Sequence, residues 1–300
     1  MNRWLKIVGV AALSLVGIGA TTVGAGSVVA ARKMQREVEV ATRRLDITQD
    51  EKVRAHGRYL FESRGCTECH GANGAGRVFI DEGGLFARAP NITRGKNSAV
   101  LHYKAEDWDR AVRHGVGIDK HPLLIMPSVD YCRWTDDDFR ALLSYVVTLP
   151  PVDGEPRRLD LPAVVKTLYA FGAIEDSAEK IDHALPPPET IPASVSKEYG
   201  AYVANMCVGC HGDGLSGGKI PGGPPDWPAA ANLTPGTESA MLRYDSADAF
   251  RAMLRSGKRP DGTAISAVMP FTILKAMNDT DIEALYLHLK TLAPRAHGQR

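Results

Sequence analysis

The chain has almost no net charge. Its 36 lysines and arginines stand against 35 aspartates and glutamates, for a formal charge of +1. No global field of one sign draws it to nucleic acid or to an acidic substrate, and no nucleic-acid partner is expected. Phosphate-cradling chemistry is missing as well. Gly71 to Gly84 is glycine-rich and reads as loop, but it holds no G-x-x-x-x-G-K-[ST] pattern and follows no strand. Cysteine is scarce, with five in 300 residues. No βαβ pattern surrounds them, which argues against a thioredoxin-like redox pair.

What is present is a pentapeptide used twice, Cys66-Thr67-Glu68-Cys69-His70 and Cys207-Val208-Gly209-Cys210-His211, 141 positions apart (66 to 207). This is the attachment signal of c-type haem: each sulfur adds across a vinyl group, and the histidine then lies under the iron. A structural zinc site is the alternative, but it closes with four ligands, and neither cluster has a second Cys/His pair beside it. Two covalently attached haem c groups are therefore expected, on Cys66, Cys69, Cys207 and Cys210, with His70 and His211 as iron ligands. Cys132 is left over. It reads as a buried, inert thiol, with pairing between molecules as the alternative.

The N-terminus is a targeting segment. Ile7 to Ala31 is an uncharged run of 25 residues after Arg3 and Lys6. As a helix it would span about 37 Å, enough for a hydrocarbon core of about 30 Å. It is read as an anchor on the periplasmic side of the bacterial inner membrane. The alternative is a cleaved signal peptide, with small residues up to Val28-Val29-Ala30 as the processing site. More lysine and arginine follows the run than precedes it, which on its own favours the opposite orientation. Haem attachment on the exported side overrules that count.

Along the chain, Arg32 to Gln49 is a charged spacer, and Asp50 to Arg64 reads as a helix leading into the first cluster. Glu106 to Arg113 is a short amphipathic helix, and Thr135-Asp136-Asp137-Asp138 starts another. There threonine is the N-cap and the acids sit in the first turn; capping explains them better than a docking patch. Pro150 to Thr190 is a proline-bearing boundary that acts as a semi-rigid spacer, with an apolar helical piece from Val164 to Ile174. The second half then repeats the first. Gly200-Ala201-Tyr202 echoes Gly57-Arg58-Tyr59, and Asn232-Leu233-Thr234 echoes Asn91-Ile92-Thr93. Val268-Met269-Pro270 echoes Ile125-Met126-Pro127, and Asp279 and Asp281 echo Asp136 and Asp138. Thr280 to Glu283 reads as a capping box.

Met126 and Met269 are the expected second ligands of the two irons. Each precedes proline on extended chain, precedes the last helix of its unit and occupies the equivalent place. Their rivals are His102, His114 and His121 in the first unit and Met241, Met253 and Met277 in the second; most of these fall on helical stretches or lack a repeat partner. Iron held by histidine and methionine is six-coordinate, closed to substrate and raised in potential, which suits electron transfer. The rival from another class is a dihaem peroxidase or oxidase, which needs an open sixth position. A haem-bearing interaction subunit that never turns over is the third possibility.

Each unit resembles a class I cytochrome c domain. The resemblance implies an all-α chain: two tandem class I cytochrome c domains after an N-terminal membrane-targeting helix. The expected divisions are 1–31 signal-anchor or signal peptide, 32–49 spacer, 50–150 first domain, 151–193 linker, 194–294 second domain and 295–300 tail. The first unit is further similar to the multihaem cytochrome subunits of membrane-bound periplasmic alcohol, gluconate and fructose dehydrogenases. The shared motifs are Pro90-Asn91-Ile92-Thr93, Asp107-Trp108, Arg113-His114-Gly115-Val116, Met126-Pro127 and Leu149-Pro150-Pro151-Val152. The similarity covers about Asp50 to Pro162 and, more loosely, Ser194 to Pro294. It implies a redox donor, such as a periplasmic dehydrogenase subunit, a respiratory-chain acceptor, and Asn91 and Asn232 beside the haems. Members of that family usually carry three haem units, and this chain has signals for two.

Overall fold

The computed structural model describes residues 3–224 and 226–300. Met1 and Asn2 of the expected targeting segment lie outside them. The fold is predominantly helical. A long N-terminal helix, α1 (Arg3–Met34), is followed by α2 (Glu51–Ser63) and the single haem-motif turn α3 (Cys66–His70). A hairpin, β1 (Val78–Glu82) and β2 (Leu85–Arg88), precedes α4 (Ala105–His114) and α5 (Asp136–Val146). The connecting segment contains β3 (Arg158–Asp160), α6 (Ala163–Ala170) and α7 (Ser177–Lys180). The second unit is α8 (Lys197–His211), α9 (Ala247–Ser256), α10 (Phe271–Leu274) and α11 (Asp279–Thr291).

Each unit is organised by its first and last helices, which cross where a glycine removes the side chain. A Cβ on Gly57 would lie 1.9 Å from the Ala141 carbonyl oxygen, and one on Gly200 would lie 2.0 Å from that of Ala284. These glycines let α2 meet α5 and α8 meet α11 at backbone distance. Around the crossings Leu60, Phe61, Phe139 and Leu142 form the first core, and Val203, Ile282, Leu285 and Leu289 the second. Asp50 caps α2 by accepting from the Lys52 and Val53 N–H groups, and Thr135 caps α5 by accepting from Asp138 N–H. The equivalent cap of α11 is Asn278, which accepts from Asp281 N–H. Thr280 lies inside the helix, so the Thr280–Glu283 capping box is corrected: Asn278, two residues earlier, is the N-cap and takes the Asp281 N–H.

Three parts of the chain expected to be irregular are structured. Gly71–Gly84 is not all loop, because Val78 to Glu82 pairs antiparallel with Leu85 to Arg88 across a Gly83-Gly84 turn in which both glycines have positive φ. The connecting segment is not a bare spacer, since β3 pairs with β2 and completes a three-stranded sheet on the first unit. Residues 38 to 48 form a strap: Val38 N–H donates to Lys120 O (2.9 Å), Arg43 N–H to Asp109 Oδ2 (2.7 Å) and Thr48 N–H to Ser144 Oγ (3.0 Å).

From Ile7 to Met34, α1 is long and apolar enough to cross a membrane. Its C-terminal end packs on α6, where Gly26 faces Thr167 and Ala30 is fully buried. Lys33 pairs with Glu179 at 2.7 Å, and Arg36 forms a two-pronged bond with Asp176 (2.7 and 2.8 Å). Burial alone raises the Asp176 pKa, but Arg36 and Tyr169 outweigh it and hold the carboxyl below its ordinary range. Two of the cations that skew the charge count after the apolar run are thus neutralised within the fold.

Candidate haem-binding sites

In the first unit the chain closes a cavity of about 430 Å³ between α3, α4, the 125–127 loop and α5. Cys66, Cys69, His70 and Met126 all line it. Gly65, with φ +90°, breaks α2 from α3 and turns the motif into the cavity. His70 Nδ1 lies 3.0 Å from the Pro90 carbonyl and donates to it, leaving Nε2 free for a metal. Burial lowers the His70 pKa, with the Pro90 bond as the smaller opposing effect, so the ring is held in the neutral, ligating form. Burial also pushes the Cys66 thiol up to about 12 and the Cys69 thiol up to about 11. They remain S–H groups, the form that adds across a vinyl double bond.

The remaining wall is largely apolar, with Phe61, Val112 and Leu142 among its residues. Among the described residues, no cluster of three or more His, Cys, Asp and Glu is arranged to hold a metal ion. That fits a site in which a porphyrin supplies the equatorial donors and the protein supplies axial ones, and it does not fit a closed zinc site. Arg157, Arg158 and Tyr103 also line the cavity and are not among the expected site residues. The two arginines sit in the connecting segment, where only the pairing of β3 with β2 reveals that they return to the first unit.

The second motif ends α8, which runs unbroken to His211. Two residues fewer than in the first unit separate helix and motif: Gly57 to Gly200 is an offset of 143, Cys66 to Cys207 one of 141. His211 Nδ1 is 2.7 Å from the Ala231 carbonyl, the counterpart of Pro90, and burial lowers its pKa. Burial pushes the Cys207 thiol up to about 12 and raises that of Cys210. Cys207 and Met269 are partly buried against the second core, whereas Met241, Met253 and Met277 are buried within it. In the first unit His114 faces His183, with their Nδ1 atoms 2.9 Å apart.

Asn91 and Asn232 do structural work. Asn91 Nδ2 donates to Val152 O (2.7 Å) and Asn232 Nδ2 to Arg295 O (2.8 Å), each tying down the segment that follows the last helix. The 295–300 tail continues this strap, and Arg300 donates to Cys210 O (3.1 Å) and Lys219 O (2.8 Å) over the second motif. Cys132 is half-buried; its thiol donates to Val129 O, and burial raises its pKa.

The cytochrome c family model matches residues 55–150 and again 198–293. The chain belongs to the cytochrome c family. Its two matched segments are tandem cytochrome c domains, the unit to which haem c is covalently bound. Among curated relatives, it is 28% identical over 273 residues to the gluconate 2-dehydrogenase cytochrome c subunit of Pantoea cypripedii, covering 81% of this chain and 60% of that protein. It is 26% identical over 275 residues to the fructose dehydrogenase cytochrome subunit of Gluconobacter japonicus (81% and 53%). It is 24% identical over 286 residues to the cytochrome c subunit of alcohol dehydrogenase (quinone) of Gluconobacter oxydans (strain 621H) (83% and 57%). The chain therefore spans between about half and three fifths of the length of these relatives.

Proposed function

We propose that this cytochrome is a dihaem electron carrier. It would take single electrons from a periplasmic donor, a dehydrogenase by analogy with its relatives, and hand them to a respiratory-chain acceptor. The observation that carries this reading is the cavity on which Cys66, Cys69, His70 and Met126 converge. When bound, haem supplies a one-electron iron couple. The chain supplies the rest. His70 and His211, aimed by the Pro90 and Ala231 carbonyls, would hold the irons, Met126 and Met269 would be their second ligands, and the largely apolar wall of the first cavity would keep water from its iron. With Met126 and Met269 as second ligands, neither iron would have a position open to a substrate.

The functional units are 50–150 and 194–294. α1 is read as a retained anchor that places both units on the periplasmic side, because its C-terminal end is fastened to the connecting segment by Ala30, Lys33 and Arg36. A cleaved leader has no need of such a mount.

The test is to purify the full-length protein in mild detergent and record mass, optical and EPR spectra of the oxidised form. The mass of two added haems and two low-spin signals insensitive to cyanide are expected. A high-spin haem that binds cyanide or turns over peroxide would replace the carrier with an enzyme.

A further inference from the structure

Helix α6 carries an apolar stripe that none of the described residues covers. Val164 and Leu168 of α6 and Phe171 at its C-cap, spaced i, i+4 and i+7, are 62%, 42% and 65% exposed. The opposite face is engaged, with Tyr169 buried and its hydroxyl donating to Asp176 at 2.5 Å and accepting from Arg36 at 2.9 Å, and on the flank of the stripe Thr167 abuts Gly26 of α1. The stripe is thus presented outward by a helix held on its other side.

What covers it follows from where α6 lies along α1. A helix rises 1.5 Å per residue, so the 20 residues from Ile7 to Gly26 traverse about 30 Å, the thickness of a hydrocarbon core. Thr167 meets α1 at Gly26, and Tyr169 meets it at Lys33 and Arg36, where the span leaves the hydrocarbon. The acids at this level, Asp176 and Glu179, are each paired with a cation of α1. Exposed Glu175 beside them forms no ion pair among the described residues, and the exposed Lys180 of the same stretch offsets its charge.

We propose that α6 is a second membrane contact, with Val164, Leu168 and Phe171 buried in the headgroup–acyl boundary of the bilayer that α1 crosses. The inference rests on reading α1 as an anchor. Short amphipathic helices bind interfaces by burying such a face. Here the foot is fixed to the first site, since Ser177 Oγ donates to the Met126 carbonyl at 2.8 Å. The cavity of the first unit would stand at a set height and tilt above the lipid, as suits exchange with a membrane-held redox partner.

The experiment places the photocrosslinker benzoylphenylalanine at Phe171, Val16 or Ser194 of the full-length holoprotein. Each variant is reconstituted in vesicles of phosphatidylethanolamine and phosphatidylglycerol, with an unchanged haem spectrum as the folding check. Illumination should give lipid adducts at 171 on the order of tenfold above those at Ser194, an exposed position outside the stripe. Lipid adducts at 16 but none at 171, or a chain-to-chain adduct at 171, would overturn the foot while leaving the anchor. Absence of lipid at 16 would overturn the anchor and the foot with it.

Discussion

Tyr59 of the first cytochrome unit donates to Asp281 of the second at 2.6 Å and accepts from the Asn278 N–H at 3.1 Å. The same arrangement recurs in the opposite direction. Tyr202 of the second unit donates to Asp138 of the first at 2.5 Å and accepts from the Thr135 N–H at 3.3 Å. Tyr59 and Tyr202, Thr135 and Asn278, and Asp138 and Asp281 are each 143 positions apart. The units are therefore clasped by two copies of one contact, in which a tyrosine on the first helix of each unit caps the last helix of the other.

Removing these hydroxyls should loosen the clasp without touching either core. Each bond to a carboxylate, buried at Asp281 and partly buried at Asp138, is worth about 1.5–3 kcal/mol, so Tyr59→Phe and Tyr202→Phe should each destabilise by an amount in that range. Calorimetry of the double variant is expected to resolve two unfolding transitions where the parent shows one. A single transition at the parent temperature would mean that the units are held together elsewhere.

The clasp is not fully symmetric: His56 meets Asp138 where Tyr199 meets Asp281. Arg64, buried and two residues before Cys66, also pairs with Asp281, and its guanidinium is near enough to act on both Cys66 and Cys207. A nearby cation favours the reduced iron and a nearby anion the oxidised one. Arg64→Gln should lower, and Asp281→Asn raise, the potential of the haem it neighbours more closely. Each shift should approach a tenfold change in the redox equilibrium, about 59 mV for one electron. Spectroelectrochemical titration reads the sign, and shifts in the same direction for both variants would point to loss of structure in place of loss of charge.

The parts of this architecture legible in the sequence were those fixed by local rules. The haem pentapeptides, the Thr135 cap and the repeat of Met126 at Met269 each follow from spacing within a few residues or from comparison of the halves. The Gly83-Gly84 turn carried a hairpin signal that the glycine-rich surroundings of Gly71 to Gly84 masked. Asp138 shows why the rest was hidden. Capping accounts for an acid in the first turn of a helix, and nothing local says that the same carboxylate also receives Tyr202 from 64 residues away. Arg157 and Arg158 reach the first cavity only because β3 returns to β2, a pairing that three residues do not announce.

Asp138 also sets an acid sensitivity. Burial raises its pKa, but hydrogen bonds from His56 and Tyr202, together with the charges of His56 and Arg64, outweigh that and hold it below the ordinary value. A carboxyl whose folded pKa is depressed contributes stability that is complete above its unfolded value, about 3.9, and is lost as the pH falls through the folded one. Asp138→Asn should therefore lower the melting temperature at pH 7 and cost progressively less below about pH 4. Thermal melts followed by the Soret band across that range test it, and an equal cost at both ends would show that the charge plays no part.

Gly57 and Gly200 permit a direct test of the helix crossings. A methyl at either position would meet a carbonyl oxygen at 1.9 or 2.0 Å, and the helices must separate to admit it. Gly57→Ala or Gly200→Ala should cost about 3 kcal/mol or more, at the upper end of overpacking. The gain in helix propensity from glycine to alanine, about 1 kcal/mol, does not offset it. Denaturant titration of the holoprotein gives the answer, and a neutral or stabilising result would mean that the crossing is looser than described.

The proposed axial methionines make the sharpest distinction between the two irons. A thioether raises the potential of a histidine-ligated haem by favouring Fe(II). Met126→Ala should lower the potential of the first haem by about 0.1 V or more, within the roughly 0.8 V that axial ligation spans. It should also open that iron to cyanide while leaving the second unchanged. Met269→Ala should do the converse. The two substitutions are independent if each methionine serves its own unit, so the double variant should show the sum of both effects. Survival of both potentials in either single variant would transfer the role to another side chain.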